Sequence, residues 1–418
     1  MFDYRVLKRA KIYIFSLITF SAIIFLIHCD GIIYHDSQHP FANKGALEVL
    51  QAQSHINGEG LRSTHALTRI PLRSMQEEKE GVDQGNDHRV LVAPFNVTEE
   101  KRIAWFRGNL HEFKILKSDK LSRQFHARVM GFFSQECESQ FFMTWFSPAS
   151  SFGSRELLSL ESLFKVHPNA CLVILSRTLD SIHGLRILKP FLDGGFRVQG
   201  LTPDLPFLLK GTQAEAWFHE LRKGKRDPGE ISLFQNLSNL VRLAVLYKYG
   251  GVYLDTDFIV LKPLTGLRNS IGAQSMDVGN KHWTRLNNAV LIFDMNHPLL
   301  LRFINEFALT FDGNKWGHNG PYMVSRVVER LGKRPGFNFS ILPPMAFYPT
   351  DWIRIVGFFK KPKTQGESKW VEAKLLQLSS GETHGVHLWN RESGRLKIEE
   401  GSVIARLVSD HCVFCKSL

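Results

Sequence analysis

Along the chain the spacing of apolar residues changes several times, and each change marks a boundary. From Ile12 to Ile27 they run almost unbroken, with only Ser16, Thr19 and Ser21 as small polar interruptions, and Arg5, Lys8, Arg9 and Lys11 precede the run. A basic flank before such a run predicts a membrane anchor over 12–29, with 1–11 in the cytosol and the rest in the lumen. His28-Cys29-Asp30-Gly31 offers no small-x-small cleavage site, which favours an uncleaved anchor over a signal peptide. Residues 30–130 are largely polar and weakly periodic, with stretches such as Gln76–Gly81 that bury little surface, and read as a partly disordered stem.

From 131 to 418 the pattern becomes that of one α/β domain. Phe141-Phe142-Met143-Thr144-Trp145 and Cys171-Leu172-Val173-Ile174-Leu175 are short continuous apolar runs of the sort found in buried parallel strands. Between them Leu157, Leu160, Leu163 and Phe164 recur at helical spacing over Ser154–Lys165. Strand, helix, strand in that order implies a parallel sheet. Leu233, Leu237, Leu240, Val241, Ala244 and Val245 then predict a long amphipathic helix over Ile231–Tyr249, stopped by Gly250-Gly251. Val252–Leu254 and Phe258–Leu261 look like strand and bracket Asp255-Thr256-Asp257.

Two ionised carboxylates in an apolar run each lose several kcal/mol of solvation unless a cation accompanies them. A divalent metal supplies that cation: Mg²⁺ and Mn²⁺ take oxygen ligands, keep open positions and can bridge a carboxylate to a diphosphate. Alone, Asp-x-Asp reads equally as a surface turn or a calcium loop; its place after a helix, a Gly-Gly stop and a strand sharpens it.

Composition adds limits. A hydrophobic content of 44% with 32 Phe is ample for a core, and a net charge of +12 suits anionic partners. The basic residues are scattered, with no zinc-finger spacing and no RNA-recognition signature, so no nucleic-acid partner is expected. Asn-x-Ser/Thr triplets at Asn96, Asn236 and Asn338 can carry glycans on a lumenal chain. Cys137, Cys171, Cys412 and Cys415 allow two disulfides in an oxidising compartment, and a zinc half-site at Cys412 and Cys415 is the poorer reading.

Asn236-Leu-Ser-Asn-Leu-Val-Arg242, followed by Leu-Tyr-Lys-Tyr-Gly-Gly-Val-Tyr-Leu-Asp-Thr-Asp257, resembles the DXD region of glycosyltransferase family 32, and more narrowly its α-1,4-glycosyltransferase group. Trp316-Gly-His-Asn-Gly-Pro321 and Val386-His-Leu-Trp389 resemble that group's later motifs, so the likeness runs from about Cys137 to the C-terminus. The resemblance implies a GT-A fold: Rossmann-like, with a mostly parallel sheet flanked by helices. It also implies a UDP-sugar donor, Mn²⁺ with Mg²⁺ as the alternative, retention of anomeric configuration, and a single-pass type II protein of the Golgi membrane.

Carried over by position, Asp255 and Asp257 would hold the metal and the donor diphosphate. His387 either completes the metal shell or is a core histidine beside Trp389. Arg242 would face the donor sugar from its helix, or else pair with a neighbouring carboxylate. Asn239 stands where related enzymes have an Asp, which leaves a non-catalytic carbohydrate-binding relative as the alternative to an enzyme. Thr144 and Trp145 end a strand where a doubly wound sheet receives its nucleotide, although the aromatic reads equally as core. Asn287 and Asn288 resemble a donor-side or acceptor-side segment. His318, Asn319 and Gly320 would form a loop over the sugar, or merely shape a turn before a helix starting at Pro321.

No compact carboxylate pair of the retaining-glycosidase kind is visible, which favours same-face substitution. The expected activity is transfer of a hexose or N-acetylhexosamine to a hydroxyl of a glycan, glycolipid or glycoprotein. The sequence chooses neither sugar nor acceptor, and leaves open a homodimer through the anchor or stem.

Overall fold

The structure, a computed structural model, describes residues 91–415 apart from Val278 and Lys333; the expected anchor and most of the stem lie outside the described residues. Among the described residues no helix is long and apolar enough to cross a membrane. The principal helices are α1 (Glu99–Gly108), α2 (Phe125–Phe133), α3 (Ser154–Val166), α4 (Ile182–Asp193), α5 (Leu233–Tyr249), α6 (Pro298–Thr310), α7 (Pro321–Leu331) and α8 (Val403–His411).

The first two correct the expected stem. Phe106, Phe113 and Phe125 are fully buried and join the main hydrophobic cluster, so the packed unit includes much of 91–130. Periodicity misses this stretch because its helices are short and its core residues fall between helices as well as within them.

Strands β1 (Gln140–Thr144), β2 (Cys171–Leu175), β3 (Arg197–Leu201), β4 (Gly251–Leu254), β6 (Ser270–Met276), β7 (Trp283–Phe293) and β8 (Ser340–Leu342) form one sheet in the order β3-β2-β1-β4-β7-β6-β8. Strand β7 alone runs antiparallel to its neighbours, so the sheet is mostly parallel, as expected. A second, two-stranded antiparallel ribbon joins β5 (Phe258–Val260) to β9 (Gly385–His387) and sets Phe258 opposite His387.

Strands β1 and β2 are buried on both faces, which is why they read as continuous apolar runs. One face packs against α5, α6 and α7 and the other against α3 and α4; a third cluster fills the space beneath the ribbon. Local signals set the boundaries. Ser181 Oγ accepts the Gly184 N–H at the start of α4, Pro321 opens α7, and Gly250 ends α5 at φ 68°. The cysteines pair Cys137–Cys171, which ties the approach to β1 onto β2, and Cys412–Cys415.

Candidate functional site

Asp255-Thr256-Asp257 lies at the seam between the two sheets. The Asp255 N–H donates to the Ala289 carbonyl at 2.8 Å, extending the β4–β7 ladder by one rung. The Asp257 carbonyl accepts from the Leu388 N–H at 2.8 Å, opening the ribbon. The chain thus changes sheets between the two carboxylates, and His387, at the end of β9, is brought to them by the ribbon. One ligand atom from each of Asp255, Asp257 and His387 lies within 4.8 Å of the others, with His387 Nε2 at 3.3 Å from Asp257 and 4.0 Å from Asp255.

Arg242, fully packed on α5, supports this cluster from behind. Its guanidinium reaches both Asp255 oxygens at 3.0 and 3.1 Å, donates to the Asn288 carbonyl at 2.8 Å, and lies over the Tyr253 ring at 4.6 Å. It also donates to Ser238 Oγ at 2.9 Å, one turn back on the same helix. Ser238 meets Thr144 Oγ1 at 2.7 Å, Thr144 meets the Tyr253 hydroxyl at 2.8 Å, and Tyr253 donates to Asp255 at 2.9 Å. Because Arg242 can only donate and Asp255, when ionised, can only accept, the hydroxyl protons have one consistent direction. Ser238 donates to Thr144, Thr144 to Tyr253, and Tyr253 to Asp255. The chain of bonds closes on the same carboxylate that Arg242 holds directly, and it orients that carboxylate rigidly.

The charges are unequal in their settings. Burial pushes the Asp255 carboxyl up, against the pull of Arg242 and with the repulsion of Asp257. For Asp257 burial also acts upward, but the facing His387 and the Asn390 N–H, which donates at 2.8 Å, outweigh it and hold the carboxyl below its ordinary range. His387 is pushed down by burial and more strongly up by Asp257 and Asp255, so its net displacement is upward. With a neutral imidazole, two carboxylates face one guanidinium and the cluster carries an excess negative charge. A proton on His387 or a divalent cation balances it. Two carboxylate oxygens and an imidazole nitrogen converging at this spacing form a mixed oxygen and nitrogen donor set that fits a divalent metal ion.

An open cleft of ≈ 430 Å³ adjoins the cluster, lined by Ser151, Gly153, Ser154, Arg155, Glu156 and Asn390 among others. It sits past the end of β1 at the start of α3, and it is large enough for a small ligand. The buried Oδ1 of Asn390 and the buried hydroxyl of Tyr348 have no hydrogen-bond partner among the described residues. The Tyr348 ring stands 5.8 Å from that of His387.

The remaining expected residues divide. Asn239 accepts from Asn288 Nδ2 at 2.9 Å, and a Cβ added to Gly320 would lie 2.8 Å from the Asn239 oxygen, so Gly320 allows its loop to close against α5. Asn319 donates to Asn236 on the same helix at 2.9 Å. Trp316, exposed on that loop, carries the Arg391 guanidinium on its ring at 4.0 Å, which links the loop to the segment after His387.

Three further residues contact neighbouring structure. Trp145, half-buried, donates to the Pro148 carbonyl at 3.1 Å and packs on Phe152. Asn287, within β7, donates to Gln274 Oε1 at 2.9 Å and accepts the Ala289 N–H at 2.9 Å, where the register against β6 shifts. His318 bonds the Thr310 carbonyl at 2.8 Å and lies 3.4 Å from Arg326, bracing α6 against α7.

Ser238, Tyr253, Tyr348 and Asn390 join the site beyond the residues expected from the sequence. Tyr253 carries a local signal, since residues two apart on a strand share a face and Asp255 follows by two. Ser238 likewise precedes Arg242 by one helical turn. Tyr348 and Asn390 carry no local signal.

Comparison with known proteins adds two family matches: a glycosyltransferase sugar-binding region containing a DXD motif over 153–277, and an alpha 1,4-glycosyltransferase conserved region over 292–418. A protein of Arabidopsis thaliana named only as uncharacterized is 34% identical over 296 residues, covering 69% of this chain and 44% of its own length. The chain therefore spans less than half of that relative. The lactosylceramide 4-alpha-galactosyltransferase of Mus musculus is 33% identical over 268 residues, 61% of this chain and 69% of that one. The alpha-1,4-N-acetylglucosaminyltransferase of Homo sapiens is 25% identical over 221 residues, 50% of this chain and 58% of that one.

Proposed function

We propose, from the premise that this chain belongs to the α-1,4-glycosyltransferase family, that it is a metal-dependent retaining enzyme. It would move a hexose or N-acetylhexosamine from a UDP-sugar to a hydroxyl of a glycan or glycolipid. The observation that carries this reading is the convergence of Asp255, Asp257 and His387 at the sheet seam, beside an open cleft at the start of α3. Relatives are named for galactose and for N-acetylglucosamine, so both are candidate donor sugars, and a galactosylated lipid is one candidate acceptor.

In this reading Asp255, Asp257 and His387 hold Mn²⁺, and Mg²⁺ is the second choice because it prefers an all-oxygen shell. When bound, the ion supplies Lewis-acid stabilisation of the departing diphosphate. The rest falls to the chain. Arg242 and Tyr253 fix the Asp255 carboxylate, while the Asn390 N–H fixes Asp257, so both present set oxygens. The cleft lined by Arg155 and Asn390 would receive the nucleotide.

Glu156, the other carboxylate at the cleft, accepts the Gly153 N–H at 2.9 Å and caps its own helix, so it is not set for attack on the sugar. Transfer then occurs on the face the diphosphate leaves, whose oxygen takes the acceptor's proton. The arrangement of strands agrees with a GT-A architecture. We place this domain in the Golgi lumen as part of a single-pass type II protein, on the anchor pattern at 12–29 and the two disulfides.

UDP release from a panel of UDP-sugars, with and without Mn²⁺, tests the proposal alongside Asp257→Asn. Metal-dependent turnover of one donor, lowered at least about 100-fold in the variant, is expected. Donor binding without turnover in the presence of glycan and glycolipid acceptors would support the non-catalytic relative instead.

A further inference from the structure

The triplets at Asn96, Asn236 and Asn338 offer the same local chemistry, and the fold treats them differently. Asn236 is 3% exposed in the second turn of α5, and its amide oxygen accepts from Asn319 Nδ2 at 2.9 Å. The hydroxyl of the same triplet, Ser238 Oγ, is engaged by Arg242 at 2.9 Å and Thr144 at 2.7 Å. Amide and hydroxyl of this triplet are thus parts of the framework behind the metal cluster. An oligosaccharide on Asn236 would sit on Nδ2, which is buried and has no hydrogen-bond partner among the described residues, and would have to leave through packed helix, which the fold cannot accommodate.

The other two lie at the surface. Asn96 is exposed in a turn at φ 56°, where its backbone N–H donates to Glu230 at 2.9 Å, and Thr98 at the head of α1 is exposed as well. Its neighbour Phe95 is 80% exposed. Asn338 is exposed in the turn before β8, anchored by its backbone carbonyl to His297 at 3.1 Å, and Ser340 is exposed at the first position of that strand. Among the described residues strand β8 ends the sheet and pairs only with β6.

We infer that Asn96 and Asn338 carry N-linked oligosaccharides and that Asn236 carries none. The assignment rests on the lumenal placement of the proposed function, since only there does the chain meet a lipid-diphosphate-linked oligosaccharide. In that transfer a bond forms between the Asn Nδ2 and C1 of the first sugar as the C1–O bond to the lipid diphosphate breaks; Nδ2 gives up one proton, and the lipid diphosphate departs as an anion. The placement gives each glycan a physical role. At Asn96 it covers the exposed Phe95, and at Asn338 it shields the free edge of β8 from pairing with another chain.

The test is site occupancy on the full chain made in a eukaryotic secretory pathway, read by peptide mass spectrometry after enzymatic deglycosylation. N96Q and N338Q should each remove one mobility step on a gel, and N236Q should remove none. N338Q should also increase the fraction eluting as aggregate. A bare Asn96 or Asn338, or a glycan on Asn236 of the soluble protein, overturns the assignment. UDP release on the same preparation reads the transferase proposal independently, so the two can fail separately.

Discussion

At the scale of the residue, the site is governed by how one guanidinium and one imidazole share two carboxylates. Arg242 has 4% side-chain exposure and no other carboxylate partner among the described residues. Removing it strands Asp255 beside Asp257, so Arg242→Ala should cost about 3–5 kcal/mol of stability without metal. Urea unfolding with and without Mn²⁺ checks this, and part of the loss should return when the ion is added.

His387 makes the protein pH-sensitive in a definite direction. Its pKa is raised above the ordinary 6.5, so its contribution is fully present below 6.5 and is lost as pH rises through the folded value. The Asp257 pKa is lowered below 3.8, so its contribution is present above 3.8 and is lost as pH falls through the folded value. The metal-free pair therefore stabilises most between 3.8 and 6.5. A metal must displace the proton on His387, so the Tm increase caused by Mn²⁺ should grow as pH rises above 6.5. A Tm increase that is flat across that range would remove His387 from the ligand set.

At the scale of the element, the turn from α5 into β4 sets where the carboxylates emerge. Gly251 has φ 102°, and a Cβ there would lie 2.6 Å from the Gln140 carbonyl oxygen. Gly251→Ala should therefore cost at least about 1–3 kcal/mol and, by shifting β4 against β1, weaken Mn²⁺ binding as well. Denaturant unfolding and a metal titration on one preparation measure both effects. This turn was legible in the sequence because a helix-period pattern, Gly-Gly and a strand-period pattern follow one another without a gap. The ribbon was not. Strand β9 is three residues long and pairs across more than a hundred positions, so nothing local marks Val386 and His387 as partners of Ile259 and Phe258.

At the scale of the molecule, Cys137–Cys171 closes a separation of 34 residues around β1 and α3, up to the first residue of β2, whereas Cys412–Cys415 closes a separation of 3. Replacing both Cys137 and Cys171 by Ala should cost about 3–4 kcal/mol, and replacing Cys412 and Cys415 distinctly less, because the unfolded chain regains more freedom from the longer loop. Equilibrium unfolding of the two double variants decides the order. The packed unit also extends toward the N-terminus beyond the expected boundary at 130, since α1 and its following turn supply Phe106 and Phe113 to the main core. A fragment beginning at 131 should expose that surface and aggregate, which size-exclusion chromatography would show.

The sequence by itself determined the α/β pattern, the order of helix, glycine pair and strand, and the carboxylate pair, because each depends on spacing within a few residues. It also brought Arg242 within reach, since helix and strand are joined by so short a turn. Only the tertiary structure decided that His387 faces the pair, that Tyr253 and Thr144 orient Asp255, and that Asn236 belongs to the interior while Asn96 and Asn338 do not. It also set Trp145, Asn287 and His318 against Pro148, Gln274 and Thr310. These outcomes depend on which surfaces meet after the sheets assemble, and identical residue types acquire different roles according to the partners that burial gives them.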